Sequence, residues 1–142
     1  MVELAIALPV IIILFAAVAE FGRYFEEYTT LAKASRVAAR YLATSSAVGN
    51  DDVTAKNLVV YGNLNGSGDP IVKGLTVGNV DIIRRNADGV QTVGFPSTVT
   101  VQIKDFKHTP IFDIGKLTNS SLSLNVDVKP SVTMRYLMTE SF

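Results

Sequence analysis

The chain has no cysteine, a single histidine and no net charge, with 13 basic and 13 acidic residues in 142. Without cysteine there is no disulfide framework and no thiolate metal site. That absence fits an exported chain and a cytosolic one equally. With one histidine, a transition-metal site is short of ligands. His108 stands next to Lys107 in a polar stretch and has no catalytic partner nearby, so it is expected to be a solvated side chain. Balanced charge leaves no basic footprint for nucleic acid. GNLNGSG, residues 62–68, lacks the lysine and the strand–loop–helix setting of a phosphate loop. Asp51 and Asp52 read as helix caps, and Asp69, Asp88 and Asp113 as turn residues. No spacing of Asn and Asp demands calcium. Asn65-Gly66-Ser67 and Asn119-Ser120-Ser121 fit the glycosylation sequon, a pattern common by chance. Nothing here assembles an enzyme's constellation, and no cofactor is implied.

What is present is concentrated at the start. Glu3 is followed by sixteen residues, 4–19, without a charge, and then by Glu20 and Arg23. As a helix this run is about 24 Å long, somewhat short of the roughly 30 Å hydrocarbon core of a bilayer. A secretory signal has a shorter apolar core behind a basic segment, which is not seen here, and helical patterning continues past Ala19. The expectation is a marginal membrane span running on into a long helix. Phe21, Tyr24, Phe25, Tyr28, Leu31, Ala32, Ala38, Ala39 and Leu42 are expected on one face, with Ser35 among them and the charged residues mainly elsewhere. A rod from about residue 3 to 46 is roughly 65 Å long, more than a head of this size covers. Its first half is therefore expected in a bilayer or against other chains, with residues 1 to about 30 buried only by copies of the same chain. Pro9 lacks a backbone donor, so a kink or local unwinding is expected near residues 5–9: a plain membrane-helix kink or a functional melting point.

Beyond Asn50 the composition turns polar. Residues 49–62, GNDDVTAKNLVVYG, read as a short helix with Asn50 or Asp51 as N-cap, Gly62 just past its end, and Ala55, Leu58 and Val59 buried. NVDIIRR reads as a strand, NADG as a turn, and VQTV as a second strand. Residues 97–106 alternate most clearly, with Val99, Val101 and Ile103 inward. SLSLNVDVK alternates as well, with Leu122, Leu124, Val126 and Val128 inward, and SVTMRYLM adds a last strand. HTPIFDIGKLT lies between them as a loop or helical turn. The fold class expected is α+β: a long N-terminal hydrophobic helix, residues 1–48, packed through its second half on a small antiparallel sheet head, residues 49–142.

An acid at the head of an apolar helix, a proline soon after, then AEFGRYF and LAKASRVAARYLA, resembles the TadE-type pilin-like proteins of the tight-adherence (Tad) and type IV pilus superfamily. AKNLVVYG, TVTVQIKDFKHTPIF and SLSLNVDVKPSVTMRYLMTE extend the resemblance along the chain. The resemblance implies a structural subunit of a pilus-like filament, assembled as a homo-oligomer through its N-terminal helices. The alternative is a minor pseudopilin or membrane-anchored monomeric domain that primes or caps an apparatus built by another pilin. It also implies an inner-membrane stage, a leader removed by a prepilin peptidase, handling by the Tad machinery, and a final place in a cell-surface filament. On that expectation Met1 carries the free amine. The acid is third rather than fifth, a departure from the type IV pattern. Glu3 then has two readings: an acid favoured by the helix dipole, or one paired with a Met1 amine to set axial register between copies. The residues expected to carry assembly are Met1, Glu3, Pro9, Phe15, Phe21, Tyr24, Phe25 and Tyr28. The aromatic series is read as helix packing rather than a conduction path.

Overall fold

A computed structural model describes residues 2–45, 51–93, 95–111 and 125–137. Its first element, α1, is one helix of 43 residues, Val2–Thr44. It runs through Pro9 without a break, so the unwinding expected at residues 5–9 is not there. The missing proline donor forfeits only one backbone bond, to the carbonyl of residue 5, and the surrounding apolar residues propagate the helix on either side.

The head packs on the second half of α1. Helix α2, Asp52–Tyr61, starts at Asp51 and ends at Gly62, whose φ of 70° lets its N–H reach the Leu58 carbonyl at 3.1 Å. Ala55, Val59 and Val60 are buried, and Leu58 packs against the core from its rim. Three strands form an antiparallel sheet in the order β1–β2–β3: β1 is Val80–Arg85, β2 is Thr98–Ile103 and β3 is Ser131–Arg135. The central strand alternates as its sequence does, with Val99, Val101 and Ile103 buried. Thr100 and Thr133 face each other across the pair, their hydroxyls 2.8 Å apart. Leu31, Ala38, Ala39, Leu42 and Ala43 of α1 close the core over the strands and α2. Small side chains there let the helix lie close to the sheet.

Two hydrogen bonds secure the end of α1, where backbone carbonyls lack partners within the helix. Leu137 N–H donates to the Ala43 carbonyl at 2.9 Å, and the Tyr136 hydroxyl donates to the Ser45 carbonyl. A paired contact between Arg84 and Asp52 ties β1 to the start of α2.

Several expectations need correction. VQTV makes only one bridge, Arg85 to Gln91, because the backbone of Asn86 and its side-chain oxygen take up the Val90 groups in a turn. β1 pairs with β2 instead, and Ser97 N–H closes on the Arg85 carbonyl at 2.8 Å. Of SLSLNVDVK, Leu122 and Leu124 lie outside the described residues, as do Asp113 and the Asn119 sequon. Val128 is buried as expected, but Val126 is 44% exposed. Among the described residues the pairing there is a single bridge, Lys107 to Asp127. On α1, Phe21, Phe25 and Tyr28 are exposed, not part of the head-facing stripe.

Candidate functional site

Two features of α1 stand out: a rod with nothing against it, and a polar cluster where the rod meets the head. The described side chains from Glu3 through Phe15 are exposed on every side of the helix. Leu4 is 68% exposed, Ile6 70% and Phe15 71%. Water around so much hydrocarbon is unfavourable by roughly 1.5–3 kcal/mol for each large side chain. The helix is long and apolar enough to cross a membrane. Glu3 and Pro9 lie on this open surface. Phe21 and Phe25 carry the exposed apolar surface about half a turn and somewhat under two turns beyond the charge-free run, beside the half-open Tyr28. Met1 is outside the described residues.

Tyr24 belongs to the second feature. It packs against the core and meets His108 edge to face, with ring centroids 5.8 Å apart. His108 is fully buried, against the expectation of a solvated side chain. Its Nδ1 lies 2.7 Å from Glu27 Oε2 and its Nε2 lies 3.2 Å from Glu20 Oε2. Glu20 is 1% exposed. Its Oε1 accepts the Ile111 N–H at 2.9 Å and faces Arg23 Nη1 at 3.3 Å. Residues 1 to 30 are therefore not free of the chain's own head: burial by the head begins at Glu20.

The local backbone explains why His108 turns inward. β2 alternates through Val99, Val101 and Ile103, and Asp105 then adopts a left-handed φ of 54°. Aspartate tolerates that conformation better than most residues. The extra residue shifts the alternation by one, so Phe106 and His108 are buried while Lys107 and Thr109 are exposed. Asn79 holds this step, its side-chain amide donating to the Lys104 and Asp105 carbonyls at 3.2 and 3.1 Å. His108 N–H to the Val126 carbonyl and Val128 N–H to the Phe106 carbonyl fix the segment beyond.

Both carboxylates thus reach the ring of His108, Glu27 at Nδ1 and Glu20 at Nε2, and Glu20 also pairs with Arg23. Buried ionisable groups require such partners. The arrangement clamps residues 106–111 to α1 at the point where the apolar run ends. Among the described residues no group of His, Cys, Asp and Glu is placed to hold a metal ion.

No curated protein and no solved structure matches the chain. Residues 1–40 match the family model described as TadE-like protein, a stretch that holds all eight expected assembly residues together with Glu20 and Glu27. Over residues 1–40, most of the long helix α1, the chain is thus similar to TadE-like proteins.

Proposed function

We propose that this chain is a structural, not a catalytic, subunit of a Tad pilus-like filament, assembling through its N-terminal helix. The observation that carries the reading is the open rod: an exposed charge-free run, continued by Phe21 and Phe25 among the first charged residues, on the face that the head leaves open. A monomeric anchor needs apolar surface only within the bilayer and under its own head. Phe21 and Phe25, level with Glu20 and Arg23 and turned away from the head, offer a surface for contact between copies. In this reading residues 1–48 are the membrane and filament-core helix and residues 49–142 the head. The inner membrane holds the precursor, a prepilin peptidase and the Tad machinery process and assemble it, and the cell-surface filament is its destination.

Phe21→Ser and Phe25→Ser test this in cells that make the filament. Both side chains point away from the head, so head and membrane insertion should persist while incorporation into sheared fibres falls. Unchanged incorporation of both variants would remove the reason for preferring a filament subunit. Immunogold labelling along whole fibres supports the subunit role. Labelling confined to fibre ends or bases instead indicates the minor pseudopilin that primes or caps another pilin's filament.

A further inference from the structure

Beside the clamp lies a groove of about 430 Å³. Three cationic side chains line it, Arg23 from α1, Lys73 from the loop after α2, and Lys107 from the segment after β2, with Phe106, Pro110 and Ile111 as apolar wall. Glu27 also lines it, but its Oε2 is taken by His108 at 2.7 Å. Asp127, the acid bridged to Lys107 by backbone, is paired with Lys129 at 2.7 Å. Lys73 and Lys107 make no ion pair with any described residue. The groove therefore carries excess positive charge with two lysines free to reach a ligand.

Its height along the rod identifies the ligand's chemistry. The charge-free run ends at Ala19, and Arg23 stands about 6 Å further along the helix axis. Headgroup layers add roughly 5–7 Å on each side of the hydrocarbon core. The run is also shorter than that core, so a spanning chain draws Glu20 and Arg23 down toward the bilayer surface. Residues 108 and 111 are bonded to Glu20, which sets the groove floor at the same level. Ile111, 68% exposed, stands there as an apolar contact for lipid.

We propose that this groove seats the phosphate of an acidic phospholipid headgroup while the chain is held in the membrane. Lys73 and Lys107 supply the free charge beside the Glu20-paired Arg23, and Phe106 and Ile111 border the start of the acyl chains. The inference rests on the membrane-held stage of the proposed function.

The test uses the full chain, reconstituted from an equimolar mixture of phosphatidylglycerol and phosphatidylcholine and released for native mass spectrometry. The chain should retain phosphatidylglycerol in preference to phosphatidylcholine. Lys73→Gln and Lys107→Gln should each lower that preference about fivefold, the factor for one basic residue near an anionic surface. Lys33→Gln, about 15 Å further from the bilayer on α1, should leave it unchanged. Equal losses for all three variants would mean diffuse attraction and would overturn the seat. Retention of both lipids alike, or saturation by added inorganic phosphate without any phosphatidylglycerol bound, would overturn the headgroup assignment. Vesicle flotation of the same preparation separates the two readings. A chain that floats but shows no lipid preference sinks only the groove, whereas one that does not float sinks the membrane stage as well.

Discussion

His108 shows how a single side chain can join two parts of a chain far apart in sequence. Its partners lie 81 and 88 residues away, on α1. Nothing adjacent in the sequence reveals this, because Lys107 and Thr109 are polar and the phase shift at Asp105 hides the continued alternation. The signal was nevertheless available: Glu20, Tyr24, Glu27 and Leu31 recur at helical spacing, which places two acids on the stripe that faces the core. Removing one member of a buried charge set typically costs about 3–5 kcal/mol, because the others are left uncompensated. His108→Ala should lower the stability of the head by that order in denaturant titrations of the detergent-solubilised chain, and Glu20→Gln should do so by less. Wild-type stability in His108→Ala would show that the cluster holds nothing together. Glu3 is the second residue-scale case. If it pairs with a Met1 amine in the assembled fibre, Glu3→Gln keeps its shape and removes its charge. Fibre yield should then fall while membrane accumulation is kept. Fibres of normal length and yield from this variant would leave Glu3 as a helix-end acid favoured by the dipole alone.

At the scale of elements, the helix and the central strand were the most legible parts. A charge-free run and strict alternation are strong periodic signals, and Val99, Val101 and Ile103 are buried as their spacing requires. The facing of α1 was less legible. Its head-side seam runs through residues 20, 24, 27, 31, 35, 38 and 42, and includes two acids and a serine. A hydrophobicity pattern instead favours the neighbouring stripe of Phe21, Phe25 and Tyr28, which the head leaves open. Ser35 follows from this seam: it is fully buried, and its hydroxyl has no hydrogen-bond partner among the described residues. Ser35→Ala removes that unsatisfied group and improves helix propensity, so it should stabilise the head by roughly 0.5–2 kcal/mol. Ser35→Leu should destabilise by about 1–3 kcal/mol through overpacking against the sheet. A melting-temperature comparison of the two decides the matter, and a lower value for the alanine variant would mean that the hydroxyl is satisfied. In β2, Val101→Asp should unfold the head because it buries a charge, while Thr100→Asp, on the opposite face, should be tolerated. Equal tolerance of both would contradict the observed register.

For the whole molecule, a boundary at Glu20 matters more than one drawn at the end of the helix. Up to about Ala19 the chain offers hydrocarbon to its surroundings; from Glu20 onward the helix belongs to the head through the clamp and the core. Deleting residues 1–18 keeps Glu20, Arg23, Tyr24 and Glu27 and should give a soluble monomeric head. Fibre formation by that truncated chain would show that the rod is not the assembly element. The most direct measurement is a helical reconstruction of fibres sheared from cells and shown by mass spectrometry to contain this chain. Residues 3–19 of each copy should be enclosed at the fibre axis by the helices of other copies, with Phe21 and Phe25 in contact between copies and heads outward. Fibres joined through the heads, with the rods standing free of one another, would contradict assembly through the helix.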